Sequence, residues 1–294
     1  SGYSAKAFGE KNKSEEITAL VRPAIISVLI GMFFILFQKV ILWGFSNFFD
    51  AEKEITKYLG IYFNILIWGA PFVLINYTFL GWIMGRKEIK KCLILQLLTN
   101  VTNIMLDLYF VKVLKMDVAG VAIATLVSQI LTTILSILII LRTFSIKEIF
   151  SNIDLKKILE KSEIKKVGAV NFNLVIRTLC LLITTNLFLE KAAHSGKIVL
   201  AANSILFQIQ YLIAYIFDGF ANASSIFSGI AIGEKNFSKL KWTLKKSINS
   251  SIVISILLSI VMIIFDENFL MFYTKNIEVI EITNQYKIWI IIFP

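Results

Sequence analysis

The sequence contains one histidine, two cysteines and three prolines among its 294 residues, and only 17% of its residues are charged. Cys92 and Cys180 form no CxxC pattern, so they are interpreted as packing residues and not as metal ligands. The single histidine, His194, is expected to be exposed in a loop. Walker A, HExxH, GxSxG and GxGxxG motifs are all missing from the sequence. The residues therefore give no sign of an enzyme or of a cofactor.

Apolar residues are abundant instead. They make up 57% of the chain, and the mean hydropathy is +0.76. Uncharged runs such as 24–36 and 252–265 are apolar all round, whereas a helix of a soluble protein has one apolar stripe. This excludes a large soluble helical bundle and predicts an all-α, polytopic membrane protein. The predicted membrane helices lie near 22–44, 57–84, 92–113, 117–141, 167–189, 199–230, 247–265 and 278–294.

The segment 145–165 differs from these helices because its apolar residues alternate with lysines. It is interpreted either as a helix lying on the membrane surface or as a solvated linker. The chain is therefore divided into an N-terminal lobe at 1–144, a linker at 145–166 and a C-terminal lobe at 167–294.

Lysine and arginine are distributed unevenly among the connections between helices. The segments 6–22, 85–91, 142–166 and 233–246 carry 20 of these residues, and the alternate connections carry 7. This alternation is what the positive-inside rule predicts, so the basic segments are expected on the cytoplasmic side of a bacterial-type inner membrane. The net charge of +10 is thereby explained by orientation and lipid contact, without a nucleic-acid partner.

The sequence also contains a repeat. Gly9-Glu10-Lys11-Asn12 recurs as Gly233-Glu234-Lys235-Asn236, a spacing of 224 residues, and Pro71 and Pro294 are spaced 223 apart. Six predicted helices lie between the two copies, and an even number returns the chain to the same side of the membrane. We therefore expect two parallel six-helix bundle repeats. The parent would have twelve helices, of which about eight lie in this sequence.

Polar residues inside the predicted helices are the candidate functional residues. Gln96, Asn100, Asn103 and Asp107 are spaced 4, 3 and 4 apart, so they form one stripe on a helix. On the next helix, Thr125 lies at a depth similar to that of Asp107, and its polar face continues through Ser128, Gln129 and Thr132. An ionisable residue within a bilayer costs at least ~2.5 kcal/mol and usually faces an interior cavity. We predict that this carboxylate and its neighbouring oxygens hold a proton or a Na⁺ ion.

Two further sets of residues are weaker candidates. Arg177 and Asp218 lie at comparable depths on adjacent predicted helices, so they are expected to form an ion pair with a structural, substrate-binding or gating role. Trp68 and Pro71 either line a cavity or mark a helix kink. Gln96 and Gln129 are also candidates for the lining of a cleft.

The sequence resembles multidrug and toxin extrusion transporters, particularly the DinF-like branch of that family. The resemblance is carried by Ala7-Phe8-Gly9-Glu10, Gly69-Ala70-Pro71, the segment 99–107 (TNVTNIMLD), the segment 120–125 (GVAIAT), Ile176-Arg177-Thr178-Leu179, Ala201-Ala202-Asn203 and Asp218-Gly219-Phe220. It covers essentially the whole chain, from the end of the family's second helix into its tenth.

This resemblance implies two six-helix lobes around a cleft and export of cationic or amphipathic compounds, driven by H⁺ or Na⁺. It also implies that Asn103, Asp107 and Thr125, with Asn100 beside them, belong to the coupling site. In the family that site includes an aspartate on the first helix, a helix that we do not expect within this sequence. Membrane lipid and small substrates are the expected partners, no nucleic acid or cofactor is expected, and a monomer is the expected state.

Two alternatives remain open at this point. A flippase for lipid-linked oligosaccharide belongs to the same superfamily, but it would need several cations around a cleft to bind pyrophosphate. Away from their ends, the predicted helices hold only three cations, which are Arg177, Lys39 and Lys287. A membrane scaffold without transport activity would not need Asp107.

Overall fold

A computed structural model describes residues 1–48, 53–154, 158, 160–264, 270–271 and 273–294. Over these residues the regular structure is helical. The helices are α1 (Gly2–Glu10), α2 (Lys13–Leu36), α3 (Gln38–Phe48), α4 (Lys53–Leu66), α5 (Ala70–Gly85), α6 (Ile89–Leu108), α7 (Asp117–Thr143), α8 (Ile146–Asn152), α9 (Lys161–His194), α10 (Lys197–Gly233), α11 (Phe237–Ile264) and α12 (Ile277–Ile292). The prediction of an all-α, polytopic membrane protein is confirmed.

Seven helical segments of this described part are long and apolar enough to cross a membrane. They are Lys13–Leu36, Glu54–Gly85, Ile89–Val113, Asp117–Thr143, Phe172–His194, Lys197–Gly233 and Phe237–Ile264. They correspond in order to the first seven predicted helices. The eighth is formed as α12, but at 16 residues it is shorter than the roughly 20 that a bilayer core requires.

The chain divides into two compact units. Unit 1 contains Ser1–Leu159 and Ile226–Phe237, and unit 2 contains Glu160–Ser225 and Ser238–Pro294. Unit 1 therefore includes the predicted N-terminal lobe, most of the predicted linker and the last turns of α10. The assignment of each lobe to one copy of the repeat stays a prediction.

The segment 145–165 does not form one surface helix. Helix α8 ends at Asn152, and α9 already begins at Lys161, inside the segment that was predicted to be a linker. Ile149 and Ile153 pack against the core of unit 1, while Ile146 and Phe150 remain exposed. A continuous surface helix was therefore wrong, and three of the five described apolar residues, Ile149, Ile153 and Ile158, are used for packing within the protein. The linker interpretation stays a prediction. Two further apolar residues of this segment, Leu155 and Leu159, lie outside the described residues.

Two breaks interrupt the long membrane helices of unit 1. A 3₁₀ turn at Ile67–Gly69 separates α4 from α5 just before Pro71, whose ring cannot continue an α-helix. The kink interpretation of Pro71 is thus supported. After α6, the chain makes a π-helical turn over Tyr109–Val113, in which Leu114 N donates to Tyr109 O across 3.1 Å.

The core of unit 1 lies where α2, α5, α6 and α7 meet. Its buried members are Ile17, Leu20, Phe79, Trp82, Ile83, Cys92, Leu95, Ile140 and Phe144. Cys92 is thus a packing residue, as predicted, whereas Cys180 is exposed on α9. The separate core of unit 2 is formed by residues of α10 and α12 together with Leu270.

One end of unit 1 contains an ion pair surrounded by aromatic rings. The Arg86 guanidinium forms an ion pair with Glu16 and lies 5.3 Å from the ring of Phe8, 5.0 Å from Trp82 and 5.3 Å from Phe144. The side chain of Arg86 is 14% exposed and that of Glu16 is 9% exposed. Trp82 Nε1 also donates to the Glu16 carbonyl across 2.9 Å. Four helices therefore meet at one nearly buried ion pair.

Helix α8 begins with a capping box and is linked to α2 by an ion pair. The Ser145 hydroxyl accepts from Glu148 N at 3.2 Å, and Ser145 N donates to the Glu148 carboxylate at 3.0 Å. Lys13 Nζ lies 3.0 Å from the same carboxylate. Hydrogen bonds from Ser145 and Lys13 lower the pKa of Glu148.

Candidate functional site

The candidate site lies between α6 and α7, where their polar faces meet. Asn103 Nδ2 donates to Thr125 Oγ1 across 3.3 Å, and Thr125 Oγ1 donates to the Val121 carbonyl across 3.0 Å. Both side chains are half-buried. The structure therefore brings together Asn103 and Thr125, which the sequence analysis placed at similar depths.

Asp107 is the carboxylate of this site, one helical turn beyond Asn103. The residue is half-buried, and its Oδ1 atom is buried without a hydrogen-bond partner among the described residues. A buried polar atom without a partner is costly, more so when it belongs to a charged group. The oxygen is therefore positioned to accept a proton or to bind a hard cation.

The donor set fits a proton or Na⁺ better than a transition metal. A carboxylate, an amide oxygen and a hydroxyl are hard ligands, and the nitrogen and sulfur ligands of transition-metal sites are not part of the set. In the described part of the chain, no three residues of the His, Cys, Asp and Glu types come together as a metal cluster. The facing polar residues of α6 and α7 accordingly include one ionisable group, Asp107, and the neutral side chains of Asn103 and Thr125.

Close packing of small residues lets α6 and α7 approach each other at this level. Gly120, Ala122, Ala124 and Ser128 are buried on α7. A Cβ atom added to Gly120 would lie 2.9 Å from Phe110 Cβ, a distance that real Cβ contacts essentially never show. The π-helical turn that contains Phe110 begins two residues after Asp107. Such turns are frequent at functional sites, and this one ends the helix that carries the carboxylate.

The other half of the predicted polar stripe is exposed. Gln96 Nε2 donates to Asn100 Oδ1 across 3.4 Å, and neither side chain is buried. The helix instead turns Thr99 toward α7, where its hydroxyl contacts that of Thr132. The predicted single stripe is thus divided into a half-buried part at 103 and 107, beside which Thr99 is also packed, and an open part at 96 and 100.

Asn76 on α5 is a site residue that the sequence analysis missed. Only 4% of it is exposed, and its Nδ2 donates to both the backbone and the side-chain oxygen of Gln129, at 2.9 Å each. The Thr133 hydroxyl donates to Asn76 Oδ1 across 2.9 Å. A lone asparagine in an apolar helix has no spacing pattern that would reveal it. The network joins α5 to the polar face of α7 that continues to Thr125.

The remaining candidates are placed apart from this network. Arg177 and Asp218 are both exposed, and the ion pairs of the described residues do not include the expected pair. Matching depth on neighbouring helices was not sufficient to bring the two side chains together. Trp68 is 55% exposed, whereas the Pro71 backbone lies against Gly31 of α2. His194 is the exposed last residue of α9 and not part of a loop.

The fold and this site together define a multi-pass α-helical membrane protein with a half-buried carboxylate between two membrane helices. A family model described as MatE matches residues 1–109 and 172–293. The chain belongs to this family, multidrug and toxin extrusion, which is a family of transporters and not of enzymes. It is a DinF-like member.

Individual relatives agree with this assignment. The chain is 25% identical to DNA damage-inducible protein F of Escherichia coli (strain K12) over 293 residues, which are 100% of this chain and 63% of that protein. It is also 25% identical to Protein DETOXIFICATION 43 of Arabidopsis thaliana, over 72% of this chain and 39% of that protein. The chain thus spans less than two thirds of the length of these relatives.

Solved structures show the same fold. An outward-facing multidrug resistance MATE family transporter of the MOP superfamily superimposes with a TM-score of 0.82 at 21% identity, over 97% of this chain and 64% of that one. A MOP superfamily transporter from Pyrococcus furiosus, whose binding pocket is described as having reversed polarity, superimposes with a TM-score of 0.79 at 19% identity. That match covers 99% of this chain and 66% of the other.

Proposed function

We propose that this protein is an ion-coupled antiporter that exports cationic or amphipathic compounds by alternating access, with Asp107 as the ion-carrying residue. The observation that carries the proposal is the Asp107 Oδ1 atom, which is buried without a hydrogen-bond partner among the described residues, one helical turn beyond Asn103 and its hydrogen bond to Thr125. Membership of a transporter family supports transport, and a buried carboxylate supports coupling to a cation.

The coupling step follows from the cost of a charge within the membrane. A carboxylate in a bilayer costs at least about 2.5 kcal/mol, and a bound proton or Na⁺ removes that charge. The neutral state permits α6 and α7 to pack as they do here, whereas the charged state favours an arrangement in which Asp107 reaches water. The ion thereby shifts the balance between two conformations by its different affinity for each.

Neighbouring residues have distinct roles in this scheme. Asn103 and Thr125 supply neutral oxygens beside the carboxylate, as does Asn100 from the open part of the stripe. Asn76 and Gln129 connect α5 to α7, so a movement of α7 at the ion site reaches a third helix. Arg177 and Asp218 are separate polar groups of unit 2 that can contact a substrate.

The proposed location is the cytoplasmic membrane of a bacterium, with the basic segments 6–22, 85–91, 142–166 and 233–246 on the cytoplasmic side. The charge distribution supports this orientation. The proposed partners are membrane lipid and small cationic or amphipathic substrates, without nucleic acid, and the proposed state is a monomer.

A flippase for lipid-linked oligosaccharide is the alternative within transport. The Pyrococcus structure is described as having a binding pocket of reversed polarity, so proteins of this fold differ in the polarity of their pockets. A pyrophosphate cargo would need several cations around one cavity. The small cavity of unit 2 near Thr283, Asn284 and Lys287 is lined by one cation, Lys287, while Arg177 and Lys39 are exposed. Export of cations is therefore preferred over the flippase.

The test is transport by the full-length protein in liposomes. A fluorescent cationic dye is followed under an imposed pH gradient and then under a Na⁺ gradient, with Asp107→Asn compared to the native protein. One gradient should drive dye movement, and Asp107→Asn should lower the rate by at least about tenfold, since about 1.4 kcal/mol of coupling corresponds to that factor.

Asp117→Asn is the matched control, because it removes the same charge from an exposed aspartate ten residues further along. It should transport like the native protein. If folded Asp107→Asn and the native protein move dye equally, Asp107 is not the coupling residue, and a scaffold role for the polar stripe is favoured. Movement of lipid-linked substrate in the absence of dye transport would favour the flippase.

A further inference from the structure

Unit 1 contains an apolar groove that is separate from the ion site between α6 and α7. Its volume is about 420 Å³, and the twelve side chains that line it are all apolar. They come from four helices and include Ala24 and Val28 of α2, Phe79 of α5, Leu141 of α7 and Ile149 of α8. We call this cavity the α2–α7 groove.

The α2–α7 groove is suited to an apolar occupant. A buried water needs two to four polar partners, and the lining side chains supply none. At the rim, Ile25, Leu29 and Ile137 are exposed, so the groove opens to the outside of unit 1. The rim residues belong to helices that are long and apolar enough to cross a membrane. The opening therefore faces hydrocarbon, and an acyl chain of a membrane lipid can fill the groove through many small dispersion contacts.

The length and position of the groove match one leaflet of a bilayer. From Leu20 to Leu29 it follows α2 for about 14 Å, at 1.5 Å per residue. A hydrocarbon core of about 30 Å gives each leaflet about 15 Å. The groove reaches Leu141 in the last turn of α7. It therefore lies in the leaflet next to the basic segments 6–22 and 142–166.

Positive charge lies at this basic end of the groove. Arg142 directly follows Leu141, and Lys147 lies on α8 two residues before Ile149. Both side chains are exposed. Long basic side chains can extend along an apolar surface and place their charge among lipid headgroups. The arrangement is therefore complementary to a lipid with an anionic headgroup.

The neighbouring acid on α8 does not offset these two cations. The Glu148 carboxylate lies 3.0 Å from Lys13 Nζ, so its charge is balanced by a third cation. It also accepts from Ser145 N across 3.0 Å in the capping box. The net charge of Arg142, Lys147, Lys13 and Glu148 is therefore positive.

Helix α8 covers the basic end of the groove with its apolar face. Ile146, Ile149 and Phe150 are spaced 3 and 1 apart, so they share one side of the helix. Ile149 lines the groove, whereas Ile146 and Phe150 are exposed. Exposed apolar residues on one side of a helix and a lysine on the other are typical of a helix at a membrane surface. The end of the groove is thus at the level of the headgroups.

We propose that the α2–α7 groove binds an anionic phospholipid, with one acyl chain in the groove and the headgroup phosphate at Arg142 and Lys147. The proposal goes beyond the proposed function, because the lining residues of the groove do not include the ion site. It gives the basic connection between α7 and α9 a specific ligand in addition to its role in orientation.

The first experiment measures lipid affinity by native mass spectrometry of the full-length protein released from detergent. Phosphatidylglycerol and phosphatidylcholine with the same long acyl chains are titrated separately, and so is a short-chain phosphatidylglycerol. Long-chain phosphatidylglycerol should bind at least about tenfold more tightly than either of the other two, because the groove holds the chain and the cations hold the anionic headgroup. Inorganic phosphate should not displace it. Equal affinity for the two long-chain lipids, or displacement by inorganic phosphate, would overturn the proposal.

Val28→Phe tests the groove by filling it. This variant should bind both long-chain lipids at least about tenfold more weakly than the native protein does. Val253→Phe is the matched control, since Val253 is exposed on α11, and it should bind like the native protein. Native affinity in folded Val28→Phe would show that the chain does not lie in the groove.

Arg142→Gln combined with Lys147→Gln tests the headgroup contact. The preference for phosphatidylglycerol should disappear, while the affinity for phosphatidylcholine should stay unchanged. Lys112→Gln/Lys115→Gln removes two exposed cations before α7, at its opposite end, and should retain the preference. All four of these lysine and arginine side chains are exposed, so this comparison remains decisive if Val28→Phe does not fold. An unchanged preference in the first double variant would refute the headgroup contact.

Photo-cross-linking locates the bound chain. Phosphatidylglycerol with a diazirine on one acyl chain is bound to the native protein and photoactivated, and modified peptides are identified by mass spectrometry. Cross-links should fall within 20–29, 75–79 and 137–141 and disappear with excess unlabelled phosphatidylglycerol. Cross-links spread evenly over the membrane helices, or removed by a cationic dye and not by phosphatidylglycerol, would overturn the proposal. A protein that moves no dye but is labelled at these positions would refute the proposed antiport and leave the lipid site supported.

Discussion

The ion pair between Arg86 and Glu16 gives a prediction whose magnitude follows from burial. Arg86→Met removes the cation but retains much of the apolar volume that packs against Phe8, Trp82 and Phe144. Glu16 would then be a carboxylate with 9% exposure that has lost its ion-pair partner. Breaking a buried pair from one side typically costs about 3–5 kcal/mol. For a protein of this size, about 1 kcal/mol shifts the unfolding temperature by 2–4 °C, so we expect a decrease of about 6–20 °C.

The assay is thermal unfolding of the purified protein in detergent, followed by tryptophan fluorescence. The double variant Arg86→Met/Glu16→Gln should recover much of the loss, because a neutral amide replaces the unpaired charge. Lys13→Met is the control, since Lys13 forms its ion pair with Glu148 at an exposed position. If Arg86→Met unfolds within about 1 °C of the native protein, the ion pair does not stabilise this end of unit 1.

Three further perturbations test other parts of the structure. Gly31→Ala should destabilise the protein by about 1–3 kcal/mol, because the added Cβ would lie 2.5 Å from Pro71 Cα. Gly60→Ala is the control and should be neutral or stabilising, since a Cβ there meets no atom within 4 Å. Denaturation in detergent compares the two variants. Asn76→Leu should cost about 1–3 kcal/mol by removing the partner of Gln129 and Thr133, and Asn64→Leu, at an exposed position, should have little effect in the same assay. Glu148→Gln should increase hydrogen exchange at the first turn of α8 at neutral pH. Because the folded pKa of Glu148 is lowered, the stabilisation from its hydrogen bonds to Ser145 and Lys13 is fully present above the ordinary glutamate pKa of 4.5. This stabilisation is lost as pH falls through the lowered pKa, so the exchange rates of the native protein and the variant should converge there. Equal exchange of the two at neutral pH would contradict the capping role.

Much of the fold could be predicted from the sequence because the bilayer imposes a strong pattern. Long apolar segments and basic connections located the eight helices, and Pro71 indicated the break before α5. The start of α9 was missed because its first turns are rich in lysine, which a helix tolerates once it leaves the bilayer. The π-helical turn after Asp107 was not predictable, since an i to i+5 bond reflects local packing and has no sequence pattern.

The candidate site was predictable where its residues are periodic along one helix. Asn103 and Asp107 are four residues apart, and the depth of Thr125 could be estimated by following the chain back from the loop. Asn76 could not be found in this way, because its partners Gln129 and Thr133 lie more than fifty residues away. The same reasoning failed for Arg177 and Asp218, since depth alone does not determine which faces of two helices meet.

Antiport is tested most directly by letting a dye gradient drive the movement of the coupling ion. Full-length protein is placed in liposomes without any imposed ion gradient, and a cationic dye is supplied on one side only. Antiport predicts that dye moving in one direction drives H⁺ or Na⁺ in the other, detected by a pH-sensitive or Na⁺-sensitive fluorophore, and that Asp107→Asn abolishes this ion movement. Dye transport without ion movement, or ion movement in the same direction as the dye, would contradict it.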